Sequence, residues 1–333
     1  MTLKRNLRGD AMAREPLTRA EFLKILAAGA GGIVFLRGSA DALAGLAGPD
    51  DQLDRAALEG DAETARQAGT ILAVAKGSTA SSNVKRAIAA VGGMKKYVSS
   101  GDTVVIKPNI SHPNAPKYAV TTNPGVVATL VTLARKAGAG KVLVMDNPVS
   151  NDPAACYSTS GISSAVKAAG GSMQIMGKSG YKSYAIPGHL LKNQSLYAAI
   201  VNADVLINVP IAKTHSSTKL TLAGKNMMGC TSNRQRMHTL GLSQSIAEIN
   251  AKLKPELTVI DAMRILVRNG PSGGSLSDVA VKNTVVACHD WVAADTWACR
   301  LFGVSPSKVP YLKAAANMHL GTMNLSSVTI RNV

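Results

Sequence analysis

Between residues 208 and 230 the chain reads NVPIAKTHSSTKLTLAGKNMMGC, placing three lysines, a histidine, two asparagines and a cysteine directly behind an aliphatic run. Lys213, Lys219 and Lys225 supply positive charge, His215 a titratable ring, and Asn208 and Asn226 paired donors and acceptors. Arg234, Arg236 and His238 follow within a few residues. Such a set suits a carboxylate or a phosphate, because guanidinium forks bind these groups bidentately and ammonium groups add point charge. Gly224 and Gly229 permit backbone to approach a ligand closely. The alternative is a solvated basic loop leading into a helix with Met227 and Met228 in its core. A solvated loop has little use for Asn208, His215 and Asn226 beside the lysines, so the ligand-binding reading is preferred.

Other aliphatic runs end in the same way. Lys107, Pro108 and Asn109 close DTVVI, Asp146 and Asn147 close KVLVM, and Asp261 closes LTVI. In open α/β sheets, ligands bind in the crevice beyond the carboxyl ends of the strands. Parallel neighbours would bring all four segments to one cleft. Lys107, Asn109, Asn208, Lys213, Lys225, Asn226 and Arg236 would then hold an anion, while His215 or His238 moved a proton with Asp146 or Asp261. The same two aspartates and two histidines are suitable ligands for a divalent metal. No HxH or HExxH spacing marks a metal site, so the metal is left unassigned, and each aspartate alone also suits capping or backbone N–H bonding. No P-loop or GxGxxG is present to hold a nucleotide, and His112, His189, His289 and His319 have no patterned partners.

The cysteines, Cys156, Cys230, Cys288 and Cys299, form no CxxC pair, which excludes a locally encoded zinc ribbon or iron–sulfur cluster. Buried thiols are expected, with disulfides as the alternative. Cys230 lies among cations that would lower a thiol pKa, but reactivity also needs exposure and a base.

The elements that must position these groups follow from pattern. Strands are expected over 70–77, 102–111, 141–148, 203–210 and 257–263, with short strands near 173–186 and a closing strand in VTIRNV. A helix is expected over 83–98, interrupted at Gly92 and Gly93. Another starts at Pro124 behind Thr121, Thr122 and Asn123 and ends at Gly138. Further helices are expected over 160–169, 291–302 and 309–318. Strand, helix and strand at this spacing make βαβ units, whose parallel strands need a helical crossover. The fold class is therefore α/β: a mainly parallel sheet with flanking helices, Rossmann-like βαβ units and a less regular insertion. Residues 70–333 form one domain, with a division into two lobes near 170–200 as the alternative.

The chain of 333 residues is 46% hydrophobic, 17% charged and 4% aromatic, enough apolar content to bury a substantial core. Its net charge of +17 would ordinarily raise nucleic acid as a partner, but the basic residues are dispersed and aromatics for base stacking are scarce. A small anionic ligand, or an anionic membrane surface, accounts for the charge equally well.

From Met12 the sequence MAREPLTRAEFLKILAAGAGGIVFLRGSADALAG has a basic region, a weakly apolar stretch and small residues at Ala40, Ala42 and Ala44. Residues 1–44 are read as a secretory signal, whose apolar stretch from Ile25 to Leu36 is too short to span a membrane. TRAEFLK resembles the twin-arginine export signature, with Ala20 where the second arginine stands. A helix retained on the protein is the alternative. Residues 45–69 read as a polar linker, and a periplasmic or cell-envelope location follows, with no membrane-spanning helix in the mature chain.

IKPN (106–109), TTNP (121–124), MDNP (145–148), SGI (160–162), ADVLINVP with KTH (213–215), GKN with MMG (224–229), RQRMH (234–238) and IDA (260–262) resemble domain of unknown function 362. The ordered match runs over roughly 70–333. The resemblance implies the fold more than a reaction. Some members carry fused iron–sulfur modules, but this chain lacks the cysteine runs they need, so no such cofactor is carried over. Taken together, the chain reads as an exported protein binding a small anionic substrate or cofactor, as a redox or metal-dependent enzyme with an envelope partner. The alternative is a noncatalytic anion- or metal-binding accessory protein.

Overall fold

Runs of buried aliphatic side chains interrupted by Gly, Pro and Asn build a large sheet. The computed structural model describes residues 69–333. The expected signal sequence and, Gly69 apart, the expected linker lie outside the described residues. The chain begins with β1 (Ile71–Lys76), α1 (Ala80–Ala90), β2 (Thr103–Pro108), α2 (Pro124–Ala137) and β3 (Lys141–Val144). Then come α3 (Pro153–Thr159), α4 (Ile162–Ala168), β4 (Ser172–Met173), β5 (Tyr181–Ala185), β6 (Asn193–Tyr197) and α5 (Ala198–Val201). The stretch singled out above contributes β7 (Val205–Val209), β8 (Ile211–His215), β9 (Lys219–Thr221) and α6 (Ala223–Asn226). The chain continues with α7 (Arg234–Leu253), β10 (Leu257–Leu266), β11 (Val279–Cys288), α8 (Trp291–Ala298), α9 (Pro310–Asn317) and β12 (Thr329–Asn332).

Local chemistry sets the helix ends. Thr79 caps α1 by accepting from the Ser82 N–H, and Asn123 caps α2 by accepting from the Gly125 N–H with Pro124 in the first turn. Gly138 ends α2 in the left-handed region at φ 110°, packed against Ser100, where a side chain would be strained.

The strand order is β12–β1–β11–β10–β7–β2–β3–β4, with β8 pairing β10 and β9, and β5–β6 forming a separate hairpin. From β10 through β7, β2 and β3 to β4 all neighbours are parallel, as expected for βαβ units. β11 departs from this pattern: it lies antiparallel between β10 and β1. The structure is thus α/β with a large, mostly parallel sheet flanked by helices.

Strand periodicity divides the core in two, because successive side chains face opposite sides. Val104, Ile106, Val142, Val144, Val205, Ile207 and Val259 pack on the side of α1, α2 and α4. Val105, Leu143, Leu206, Ile260 and Ala262 pack on the side of α7, α8 and α9. The described residues, 69–333, fall within one compact unit.

Candidate functional site

Two register partners start the site. Lys107 on β2 lies opposite Asn208 on β7, and both follow the phase of Val105 and Leu206, which points them at α6. Lys107 is fully buried, and its Nζ lies 2.7 Å from Asp146 Oδ1 while donating to Asn226 Oδ1 (3.0 Å) and the Pro108 carbonyl (2.8 Å). Three acceptors for three ammonium hydrogens leave nothing over for a ligand. Asp146 in turn accepts from the Ile110 and Asn147 backbone N–H groups.

Asn226 is the hub. Its Oδ1 accepts from Lys107 and from Asn109 Nδ2 (3.0 Å), and its Nδ2 donates to Asn208 Oδ1 (2.8 Å) and the Lys107 carbonyl (3.2 Å). Asn208 Nδ2 completes the chain by donating to the Ala223 carbonyl. Gly229 lies against the ion pair so closely that a Cβ there would collide with Asp146 Oδ1 and Lys107 Nζ. The GKN and MMG motifs are therefore the lid of a buried polar network.

Lys213, on β8, is the second fully buried lysine. Its Nζ donates to Asn109 Oδ1 (3.1 Å), Ser111 Oγ (3.0 Å) and the Val120 carbonyl (2.7 Å). None of these is charged. Burial, with the Lys225 and Lys107 charges adding to it against the opposing pull of Asp146, lowers the Lys213 pKa from 10.5 to about 7.

The outer side differs in kind. Lys225, in α6, is half-buried, and among the described residues no hydrogen bond or ion pair holds its ammonium group. Burial, then Arg234 and Lys107, bring its pKa down to about 8. His215, at the end of β8, is also half-buried, and its Nδ1 accepts from the Ser217 N–H at 3.0 Å. That bond assigns the ring proton to Nε2. Burial, followed by Lys225, Lys213 and His238, holds the His215 pKa at about 3, so the ring stays neutral near pH 7. His238, exposed on α7, is lowered by burial and by Lys225.

The structure separates other expected members. Asp261 does not end its strand, because β10 runs on to Leu266. It follows the phase of Val259, on the opposite side of the sheet from Lys107, where it accepts from the Asn123 and Met263 N–H groups. Burial raises its pKa to about 6. Arg236 turns away to the Asn193 carbonyl, while Arg234 spans the site's edge through the Met228, Asn147 and Pro148 carbonyls. Among the described residues no group of three or more His, Cys, Asp or Glu side chains could hold a metal ion, so Asp146, Asp261, His215 and His238 do not come together as ligands. All four cysteines are free and buried, and burial pushes Cys230 to about 12.

Two supports were not read from the sequence. Asp295, on α8, accepts from the Ala223 and Gly224 N–H groups and from the Tyr311 hydroxyl, fixing the start of α6. Glu248, on α7, accepts from the successive N–H groups of His189, Leu190 and Leu191. The aliphatic and small neighbours of both residues gave no pattern that a loop-holding carboxylate would share. Beyond Asn233, which caps α7 through the Arg236 N–H, Gly241 interrupts the helix with φ 130° and ψ 94°.

The geometry defines an α/β protein with a polar network sealed under the carboxyl ends of parallel strands and a cationic outer edge. The chain belongs to the family described as domain of unknown function (DUF362), whose pattern matches residues 104–300. It is similar to the thylakoid-associated protein sll1697 of Synechocystis, 26% identical over 238 residues, covering 69% of this chain and 72% of that protein. Among solved structures it is similar to the lactate racemase apoprotein from Thermoanaerobacterium thermosaccharolyticum, with a TM-score of 0.46 and 12% identity. That match covers 68% of this chain and spans only 56% of the racemase.

Proposed function

We propose that this protein binds a small carboxylate or phosphate at the outer edge of the strand-end network, with Lys225 as its principal cation. The observation that carries this reading is the contrast in hydrogen-bond supply. Lys107 and Lys213 spend their donors on the protein, whereas Lys225 stands half-buried among Lys107, Lys213 and Arg234 with no acceptor among the described residues. An anion would relieve that repulsion and fill that gap.

In this reading His215 offers its Nε2–H as a neutral donor, and His238, whose pKa burial and Lys225 lower, is the proposed proton carrier. Lys107, Asn109, Asn208 and Asn226 order the platform, and Lys213 completes it. An enzyme acting on the bound anion, redox or metal-dependent chemistry included, is one form of this function; a binding accessory without turnover is the other. Export to the cell envelope through the twin-arginine route belongs to the same proposal, and fractionation of cells expressing the full chain tests it. The similarity to a thylakoid-associated protein and the charge of +17 are compatible with work beside an anionic membrane.

Equilibrium titration with inorganic phosphate and with simple carboxylates tests the binding site itself. Lys225→Met should abolish saturable binding, while Lys219→Met, at an exposed position, should leave it intact. Equal affinity in all three proteins would remove the proposal.

A further inference from the structure

Anion binding alone does not explain how rigidly Lys225 is presented. Its neighbours on both sides are pinned: the N–H groups of Ala223 and Gly224 bond to Asp295, and the Asn226 side chain is locked to Lys107, Asn109 and Asn208. Gly224 lies against Trp291 and Tyr311, so a side chain there would have to displace an aromatic ring. The backbone that carries Lys225 is therefore held from both ends. Its amine is left without a partner among the described residues and is bordered by cations, which favours the neutral, nucleophilic form. The neighbouring His215 is neutral, with its N–H on Nε2 because Nδ1 accepts from Ser217.

From this arrangement we infer that Lys225 is a covalent nucleophile that forms an imine with a small carbonyl compound bearing an anionic group, such as a 2-oxo acid. The inference rests on the anion-binding reading above and names the substrate class of that site. The Nζ lone pair forms a bond to the carbonyl carbon as the C–O π pair moves to oxygen. The two amine hydrogens leave with that oxygen as water, and the imine nitrogen takes a proton from solvent. No oxidant or reductant is required. His215 Nε2–H would donate to the carbonyl oxygen or to the carboxylate, and the positive field of Arg234 and Lys107 would favour the anionic group.

Pyruvate with cyanoborohydride, followed by intact-mass and peptide analysis, tests the inference, because hydride reduction makes an imine permanent. One adduct on the peptide carrying Lys225 is expected, suppressed by excess phosphate. Lys225→Arg removes the primary amine and should lose the adduct, whereas Lys219→Arg, at an exposed position outside the site, should keep both the adduct and phosphate binding. Label spread over surface lysines, or equal labelling of Lys225→Arg, would overturn the inference. A wild-type protein that binds phosphate but gives no adduct refutes the imine alone. One that binds neither phosphate nor pyruvate refutes the anion site with it.

Discussion

Lys107 and Lys213 are both fully buried, both share Asn109 or its neighbours, and both have three acceptors around Nζ, yet only Lys107 has a carboxylate. The difference shows what each does. The Asp146 charge offsets the desolvation of Lys107 and locks β2, β3 and the 3₁₀ turn Met227–Cys230 together. Lys213 has only dipoles to replace water, so its proton is labile near neutrality.

Removing the carboxylate should have the largest effect. Asp146→Asn leaves the Lys107 charge buried without its counter-charge and should lower stability by about 3–5 kcal/mol in denaturant unfolding. Gly229→Ala attacks the same pair by overpacking and should lower stability by about 1–3 kcal/mol. Lys213→Met removes a buried charge but strands three acceptors, so about 1–3 kcal/mol at neutral pH is expected. A loss from Lys213→Met as large as that from Asp146→Asn would erase the distinction between the two lysines.

Titration sharpens the comparison. The folded pKa of Lys213, about 7, lies below its ordinary 10.5, so between these values the unfolded chain binds more protons. The Lys213 contribution to stability therefore rises with pH across that window, and the advantage of wild type over Lys213→Met should grow from pH 7 to pH 10. Asp295 has the opposite sign: burial raises it from 3.8 to about 7, so its contribution falls as pH rises between those values. Asp295→Asn should flatten that limb of the stability profile. Lys225→Met should cost no stability, because that ammonium holds nothing among the described residues and is disfavoured by burial and by neighbouring cations.

Much of this arrangement was legible in the residues. The aliphatic runs ending in Lys107, Asp146 and Asn208 do become adjacent parallel strands, and Asn123, Pro124 and Gly138 do bound a helix. Asp261 was misplaced because a polar residue after four aliphatics reads as a strand end, whereas β10 continues through Ala262–Leu266. Its period-two phase with Val259, visible in the sequence, assigns it to the other face once β10 is known to continue. The β8–β9 hairpin was not anticipated, since its alternation is masked by Lys213, His215 and Lys219. Helix α7 and strand β11 were not anticipated: α7 has charged and polar residues around its first turns, and β11 is interrupted by Lys282 and Asn283. The choice between Arg234 and Arg236 depended on helix position behind Asn233, which spacing alone does not reveal.

Phosphate titrated into wild type and Lys225→Met at constant ionic strength, with unfolding measured on the same samples, tests the central claim most directly. The account predicts one saturable site in wild type, absent from Lys225→Met, with the variant no less stable than wild type. Equal phosphate affinity in both, or binding that never saturates and disappears with added salt, would contradict it.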